Sequence, residues 1–256
     1  MCPSVETTVA RAFVQEDEIP LKDPEVFDEI SQAETIAGTR VASATRELLH
    51  MSETIEFMLH EIMLIYERSD KRTIGEFASL DDIVDTAHTE IKRYLAQLSR
   101  QKLTGEEAKR CQELTNACIK LEQAGDIIVR NLLKHADKKR QRKLNFSTKG
   151  WTELTELHNI VVENCQLALN VLVSRDLETA RQLIESKDQM RELERECSKL
   201  HLDRLGDGTP ESIESSEVHL DTIRDLKQIN SLLASFAYPV LENEGQLLHS
   251  RLVSSD

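Results

Sequence analysis

The chain has 256 residues and a formal net charge of −14, with 46 acidic side chains against 32 lysines and arginines. This charge argues against non-specific binding to nucleic acid, which requires a cationic surface that releases counterions from phosphates. Glycine (8), proline (5) and aromatic residues (4%) are scarce, a composition that favours long helices over a sheet. We therefore expect an all-α protein with no nucleic-acid partner.

The sequence shows no signal for a membrane span or for secretion. It has no run of about 18 apolar residues, and its first residues, MCPSVETT, lack the basic and apolar regions of a signal peptide. We predict a soluble, cytoplasmic chain. The five cysteines lack any CxxC spacing, which favours buried thiols in a reducing compartment over zinc ligands or disulfides. They are Cys2, Cys111, Cys118, Cys165 and Cys197.

The N-terminal part divides into an arm and a long helix. Residues 1–22 are polar and without a sustained period, and they predict a flexible arm. A helix is expected to begin at Asp23-Pro24-Glu25, where an N-cap candidate precedes a proline and an acid. Apolar residues spaced three and four apart from Val41 to Ile65 continue it. Similar apolar faces follow later in the chain, which favours a bundle over a free coiled coil.

Two further helices complete the first half, residues 23–144. One is expected to begin near residue 79. The next begins at a capping box formed by Thr104 and Glu107. Its C-terminal end is rich in lysine and arginine, from Lys134 to Lys143, where cations suit the helix dipole. A solvated basic end is the simple interpretation, and peripheral contact with anionic lipid head groups is the alternative.

The sequence LEQAGD at 121–126 suggests a site on the third helix. Gly125 lies within the apolar face, where glycine costs about 1 kcal/mol relative to alanine, so close approach of a helix or a ligand is expected. Glu122 and Asp126 are four residues apart and lie one turn apart along the edge of that face. A hard cation between them would turn their repulsion into binding. A solvated acidic edge is the alternative.

The second helix repeats this spacing with Asp81 and Asp85, each one position after an apolar-face residue. If the first and third helices flank the second, four carboxylates converge on one face of the bundle. The pattern therefore predicts a metal site. Its ligands would be Asp81, Asp85, Glu122 and Asp126.

The second half, residues 145–256, looks like a duplicate of the first. Three helices are expected, of which the first two have Ser147 and Asp176 as N-caps. A loop at residues 206–210 follows. The last helix is expected from about Ser212 to Leu241, with a kink or an end at Pro239. LEQAGDII aligns with LKQINSLL at residues 226–233, and the two aspartates of the second helix align with Asp188 and Glu192.

The duplication is imperfect at the third helix of the second half. Lys227 and Ser231 stand where Glu122 and Asp126 stand in the first half. A lysine ammonium repels a cation, which puts a second metal cluster in doubt. Asp221 and Asp225 lie about a turn upstream and could compensate.

Four runs, LEQAGDIIVRNLL, FSTKGWTELTELH, SRDLETARQLIESK and SSEVHLDTIRDLKQINSLLASFAYPVLE, resemble the PhoU family of phosphate-uptake regulators. They are most similar to the cytosolic PhoU-like domain of bacterial sodium/phosphate cotransporter-like membrane proteins. The resemblance covers about residues 24–241. It implies a double three-helix bundle, association with a phosphate transporter or its signalling partners at the membrane, and multinuclear metal sites.

Carried over to this sequence, the family pattern matches the first-half residues Asp81, Asp85, Glu122 and Asp126. In the second half it matches Asp188 and Glu192 only. Carboxylate ligands suit magnesium, manganese or iron about equally, and zinc is a further candidate for a divalent or trivalent site. Whether the chain forms a homodimer is open.

No catalytic constellation is evident, and we expect a regulatory module rather than an enzyme. The enzyme alternative is a di-iron carboxylate bundle, which needs two Glu-x-x-His elements and two further glutamates. Glu47 with His50 is the single match, with Asp85 and His88 a weaker one. The remaining alternative is a metal-free helical adaptor whose carboxylates form a solvated face.

Overall fold

The computed structural model describes residues 36–68, 71–101 and 103–245. Every regular element in these ranges is helical, which confirms the expected all-α class. The expected N-terminal arm, the helix start at Asp23 and Cys2 lie outside the described residues. The other four cysteines are buried free thiols, as the sequence predicted.

The first half forms three long helices and two short ones. The second long helix begins where the sequence predicted, and Thr104 and Glu107 form the expected capping box before the third. A short helix that the sequence pattern did not predict precedes the second long helix. The elements are α1 (Ile36–Arg68), α2 (Lys71–Ala78), α3 (Leu80–Leu98), α4 (Gly105–Ile127), a π-helical turn (Ile128–Leu132) and α5 (Leu133–Arg142).

The second half repeats the three long helices. Ser147 accepts a hydrogen bond from Gly150 N and Asp176 accepts one from Thr179 N, so both predicted N-caps are confirmed. The last long helix ends before Pro239, also as expected. The elements are α6 (Thr148–Ser174), α7 (Leu177–Gly206), α8 (Pro210–Ala234), a 3₁₀ turn (Ser235–Ala237) and α9 (Tyr238–Asn243).

The two sets of three helices share one apolar core. Helices α1, α3 and α4 pack on one another, as do α6, α7 and α8. Between the halves, α1 packs on α6 and α4 packs on α8. Polar contacts join the halves: Tyr66 Oη lies 2.9 Å from Thr222 Oγ1, and His158 Nε2 lies 2.6 Å from the Leu59 carbonyl oxygen. The halves are therefore coupled by packing and by directional contacts.

Gly125 lies where α4 packs tightly against α1 and α3. A Cβ atom at this position would lie 3.0 Å from Ile55 Cδ1 on α1 and 3.3 Å from Val84 Cγ1 on α3. Both neighbours are fully buried. Helix packing therefore accounts for this glycine, the first of the two possibilities that the sequence left open.

The second half contains a buried ionic network. Arg204 donates two hydrogen bonds to the Glu153 carboxylate, at 2.5 and 2.7 Å. His219 Nε2 lies 3.3 Å from the same carboxylate, and the His219 ring stacks on that of His201 at 4.7 Å between centroids. Burial lowers the pKa of His219 to about 3, so this imidazole is neutral. The network links the start of α6 and the end of α7 to the interior of α8.

Candidate metal centre

Three of the predicted ligands meet at the edge of the first bundle. One carboxylate oxygen each from Asp81, Asp85 and Asp126 lie within 4.8 Å of one another. Asp81 and Asp85 stand one turn apart at the start of α3, and Asp126 lies in the last turn of α4. Because α3 and α4 are consecutive, antiparallel helices, the start of one adjoins the end of the other. We call these three residues the acidic cluster.

The acidic cluster is partly removed from water. Burial raises the pKa of Asp81 above its usual value, and the charges of Asp85 and Asp126 raise it further. Asp81 Oδ1 is buried and finds no hydrogen-bond donor within the described part of the chain. Uncompensated carboxylate oxygens at this separation suit a hard cation, which takes oxygen ligands. The residues present therefore fit a magnesium, manganese or iron ion.

Arg130 supplies a positive charge beside the cluster. Its Nη2 atom lies 2.9 Å from Asp126 Oδ1 and 3.8 Å from Asp81 Oδ2, while the side chain is 55% exposed. The contact with Asp126 is an ion pair without hydrogen-bond geometry, because that oxygen also lacks a hydrogen bond. Arg130 was not among the site residues predicted from the sequence. The four-residue spacing of Asp126 and Arg130 on one helix was the available signal.

Glu122 and His88 border the cluster without belonging to it. Glu122 is half-buried one turn before Asp126, and it is not among the acids that the described structure brings within 4.8 Å. His88 follows Asp85 by one turn, and its Nε2 atom is buried without a hydrogen bond to any described residue. The structure thus assembles three of the four predicted first-half carboxylates and leaves Glu122 beside them.

The second half does not gather its carboxylates in the same way. Asp188 and Glu192 are exposed on α7, and the described residues of this half include no cluster of three acids. Lys227 donates to Glu194 Oε2 at 2.7 Å, so an ion pair occupies the position that corresponds to Glu122. Asp225 is buried and lies 2.9 Å from His135 Nε2.

Asp221 and His50, two further ligand candidates from the sequence, each have a partner on their own helix. Asp221 pairs with Arg224 at 2.9 Å, so neither it nor Asp225 replaces the missing pair of the second half. His50 is exposed and lies 3.3 Å from Glu53, in contact with solvent rather than with the acidic cluster. This placement gives the di-iron alternative no support.

Some of the basic side chains at the end of α5 form contacts with other parts of the chain. Lys138 forms an ion pair with Glu217, and Lys139 donates to the Tyr66 carbonyl oxygen at 3.0 Å. Lipid contact by this stretch remains a prediction. None of the described helices combines the length and hydropathy needed to span a bilayer.

The fold and the acidic cluster define a tandem three-helix-repeat protein with paired carboxylates on its first repeat. The PhoU domain model matches residues 48–132 and 154–240, one segment in each half. The chain belongs to the PhoU domain family, as its sequence motifs predicted.

Curated relatives carry a name that refers to phosphate export. The chain is 37% identical over 206 residues to the "Putative inorganic phosphate export protein YjbB" of Salmonella typhimurium, and 36% identical over 202 residues to that of Escherichia coli K12. The aligned parts cover 80% and 79% of this chain but only 38% and 37% of those proteins. The chain thus spans well under half the length of these relatives.

Two solved structures share the fold. PhoU from Pseudomonas aeruginosa superposes with a TM-score of 0.73 at 16% identity, covering 81% of this chain and 99% of that protein. The phosphate transport system regulatory protein PhoU from Streptococcus pneumoniae gives a TM-score of 0.72 at 14% identity, covering 84% and 99%. At these identities the likeness establishes the fold alone.

Proposed function

We propose that this chain is a regulatory, non-enzymatic module of inorganic phosphate transport that binds a metal ion at the acidic cluster. It acts on, or forms part of, a membrane protein of the sodium/phosphate cotransporter type at the cytoplasmic face. The observation that carries the metal proposal is the convergence of Asp81, Asp85 and Asp126 with a buried carboxylate oxygen left unpaired. Membership of the PhoU family and the phosphate-export name of the relatives support the transport context.

The chain's own side chains would hold the ion between two helices. Asp81 and Asp85 approach from α3 and Asp126 from α4, so a shared ligand would join the start of one helix to the end of the other. The cation would supply the positive charge that offsets three carboxylates. Arg130 has to release Asp126 for this, and its exposed side chain can turn outward to solvent.

A metal at this point bears on the contact between the halves. Helix α4 continues through the π-helical turn into α5, where His135 contacts Asp225 of α8 at 2.9 Å. Fixing the end of α4 against α3 therefore restrains the segment that touches the second half. We infer that metal binding orders this side of the module for contact with its membrane partner.

The metal proposal is tested by elemental analysis after incubation with magnesium, manganese, iron or zinc. The double variant Asp81→Asn with Asp126→Asn should lose the metal and keep its helical circular dichroism. The matched control is Asp188→Asn with Glu192→Gln, which removes two exposed acids of the second half and should keep the metal. Full metal content in the first variant would refute the site, and absence of metal in all three proteins would favour the metal-free adaptor.

The transport proposal needs a separate measurement. This chain can replace the matching 37% segment of the Escherichia coli K12 relative, and inorganic phosphate efflux from cells is then followed. We expect the chimera to retain regulated efflux and the Asp81→Asn, Asp126→Asn variant to alter it. Efflux that is the same whether the segment is present, absent or mutated would contradict a regulatory role.

A further inference from the structure

Two histidines from different helices lie face to face in the interior of the second half. The rings of His201 on α7 and His219 on α8 have centroids 4.7 Å apart and are inclined by 17°, and each residue is 1% exposed. His201 Nε2 lies 2.8 Å from Ser216 Oγ. His201 Nδ1 and His219 Nε2 are buried without a hydrogen bond to any described residue. The pair therefore keeps two ionisable rings, each with an unpartnered nitrogen, out of water.

Within the described chain, the buried charges beside the pair already balance. Glu153 is the carboxylate that faces the rings, and Arg204 donates to both of its oxygens, at 2.5 and 2.7 Å. His219 Nε2 lies 3.3 Å from Glu153 Oε2, but this contact lacks hydrogen-bond geometry. One carboxylate and one guanidinium are neutral together. A proton on either ring would therefore be an excess positive charge in the interior.

The neighbouring groups on α6 and α7 do not offset such a charge. Cys197, one turn before His201, is a buried thiol whose pKa is raised to about 12, chiefly by burial and also by nearby acids. It is therefore neutral at pH 7. Two of those acids, Glu156 and Glu196, are exposed, so solvent screens their charge.

The remaining sides of the pair are aromatic or already paired. The Phe146 ring, in the connection between α5 and α6, lies 5.9 Å from that of His219, and Lys139 Nζ lies 5.8 Å from the Phe146 centroid. On α8, Glu217 and Asp221 stand two residues before and after His219, and both form ion pairs with other basic side chains. The rings thus face neutral groups, cations and one carboxylate that is already bound.

The pKa shifts agree with this arrangement. Burial is the main cause that lowers the pKa of His219 to about 3, and His201 and Arg204 contribute to it. Burial also lowers the pKa of His201; Arg204 adds to this effect and Glu153 opposes it. Both rings are neutral at pH 7, whereas in the unfolded chain they take up protons near the usual value of 6.5. Acid therefore works against the closed arrangement.

We propose that the stacked rings of His201 and His219 form a proton-triggered switch that opens the α7–α8 end, residues 201–219, of the second half. With both rings neutral, this end is closed on α6. A protonated ring requires water or a free carboxylate, and the rings reach water when the end of α7 and the start of α8 separate from α6. The turn between these helices is exposed, and Gly208 in it has a φ of +73°.

Opening of the α7–α8 end would reach the first half through α5. Glu217 forms ion pairs with Lys138 and Arg142 of α5, and Ser212 Oγ lies 3.2 Å from Ser147 Oγ at the start of α6. These contacts hold the α7–α8 end against the connection between the halves. Proton uptake would release them. The switch involves no ligand of the acidic cluster and does not depend on the proposed function.

Urea unfolding of the full chain between pH 7 and pH 5, at constant ionic strength, tests the proposal. A ring that is neutral when folded and protonated when unfolded raises the equilibrium constant for unfolding by up to about tenfold per pH unit below 6.5. His219→Phe keeps a ring in the stack but cannot take up a proton. Its unfolding constant should therefore rise about 20-fold less than that of the wild type between pH 7 and pH 5.

The control is His60→Gln, which replaces an exposed histidine of α1 and should keep the wild-type pH dependence. If His219→Phe keeps it as well, the stacked pair does not carry the proton linkage and the proposal is wrong.

Nuclear magnetic resonance of the histidine rings in the wild-type chain requires no variant. Signals of His201 and His219 in the folded protein should report neutral rings down to pH 5, and they should lose intensity as the α7–α8 end opens. Rings that titrate near pH 6.5 while the folded signals persist would overturn the proposal, because the interior would then accept the proton without opening.

Hydrogen exchange locates the opening. After correction for the intrinsic exchange rate, amides of residues 201–219 should lose protection at pH 5.5 relative to pH 7.5, while those of α1 and α3 keep theirs, and His219→Phe should abolish this difference. Equal loss in both halves would indicate global acid unfolding instead of a local switch. Loss centred on His158, a third buried histidine whose pKa is lowered by burial, would assign the acid sensitivity to that ring and contradict the proposal.

Discussion

Arg130 Nη2 lies 2.9 Å from Asp126 Oδ1, so the acidic cluster already holds one cation from its own chain. Under the proposed metal binding, an ion would compete with this guanidinium for the same carboxylate. We therefore predict that Arg130→Gln binds manganese about three- to tenfold more tightly than the wild type, a change of roughly 0.6–1.4 kcal/mol. The measurement is a manganese titration in which electron paramagnetic resonance follows the free ion.

General electrostatics is controlled by Arg93→Gln on α3, which removes a positive charge from an exposed position. Equal gains in the two variants would show that net charge, rather than the Arg130 contact, sets the affinity. Weaker binding in Arg130→Gln would mean that the guanidinium assists the ion instead of competing with it.

We expect Asp81 to lower the stability of the metal-free fold while it serves as a ligand in the proposed metal site. Its raised pKa means that the folded state binds this proton more tightly than the unfolded state does, so the ionised form costs stability at neutral pH. Asp81→Asn should therefore raise the melting temperature of metal-free protein by about 2–4 °C, equivalent to about 1 kcal/mol at this size.

The pH dependence of that gain follows from its sign. As the pH falls through the raised pKa towards the usual value of 3.8, the wild-type carboxyl becomes protonated in the folded state and the advantage of the variant shrinks. Differential scanning calorimetry between pH 7 and pH 4 measures it. A gain that grows on acidification would show that Asp81 is stabilised, not strained, by its surroundings.

The sequence was informative wherever the cause of a structure was local. Thr104 and Glu107 are three residues apart, and the cap they form depends only on that spacing. The spacing of Asp81, Asp85 and Asp126 relative to the apolar faces was equally local, and it placed each of them at the edge of the apolar face of its own helix. Helix periodicity therefore predicted the elements and the helix edges on which these acids lie, while the packing of α3 on α4 brings the three together.

The rest depended on contacts between distant parts of the chain. Glu122 shares its helix edge with Asp126, but one turn of helix displaces it along the axis, and the offset between α3 and α4 decides which turn faces Asp81. The pairing of Lys227 with Glu194 and that of Arg204 with Glu153 join residues 33 and 51 apart in sequence. Periodicity carries no information about such partners.

The buried Glu153 and Arg204 pair should make the second half sensitive to the loss of either partner alone. Removing one partner leaves a buried charge without compensation, which costs about 3–5 kcal/mol. Urea denaturation of Glu153→Leu should show this loss. The double variant Glu153→Leu with Arg204→Met should recover much of it, because no buried charge then remains; additive losses in the cycle would show that the pair is not coupled.

Gly125 tests how tightly α4 packs on its neighbours. Gly125→Val places methyl groups against Ile55 and Val84, and overpacking of this kind costs about 1–3 kcal/mol. Gly75→Ala is the contrasting variant, since a Cβ there meets nothing within 4 Å and should gain about 0.5–1 kcal/mol from helix propensity. Chemical denaturation compares the two, and a stable Gly125→Val would show that α1 and α3 can move apart.

The π-helical turn at Ile128–Leu132 determines in which direction around the helix axis the side chains of α5 point. Such a turn accommodates one more residue than an α-helical turn, so it absorbs what would otherwise rotate α5 by about 100°. Deleting one residue inside the turn should leave His135 facing Asp225, whereas a deletion in the middle of α4 should turn every later side chain away from its partner. The extra residue of the turn therefore keeps the side chains of α5, His135 among them, directed at their partners in the second half.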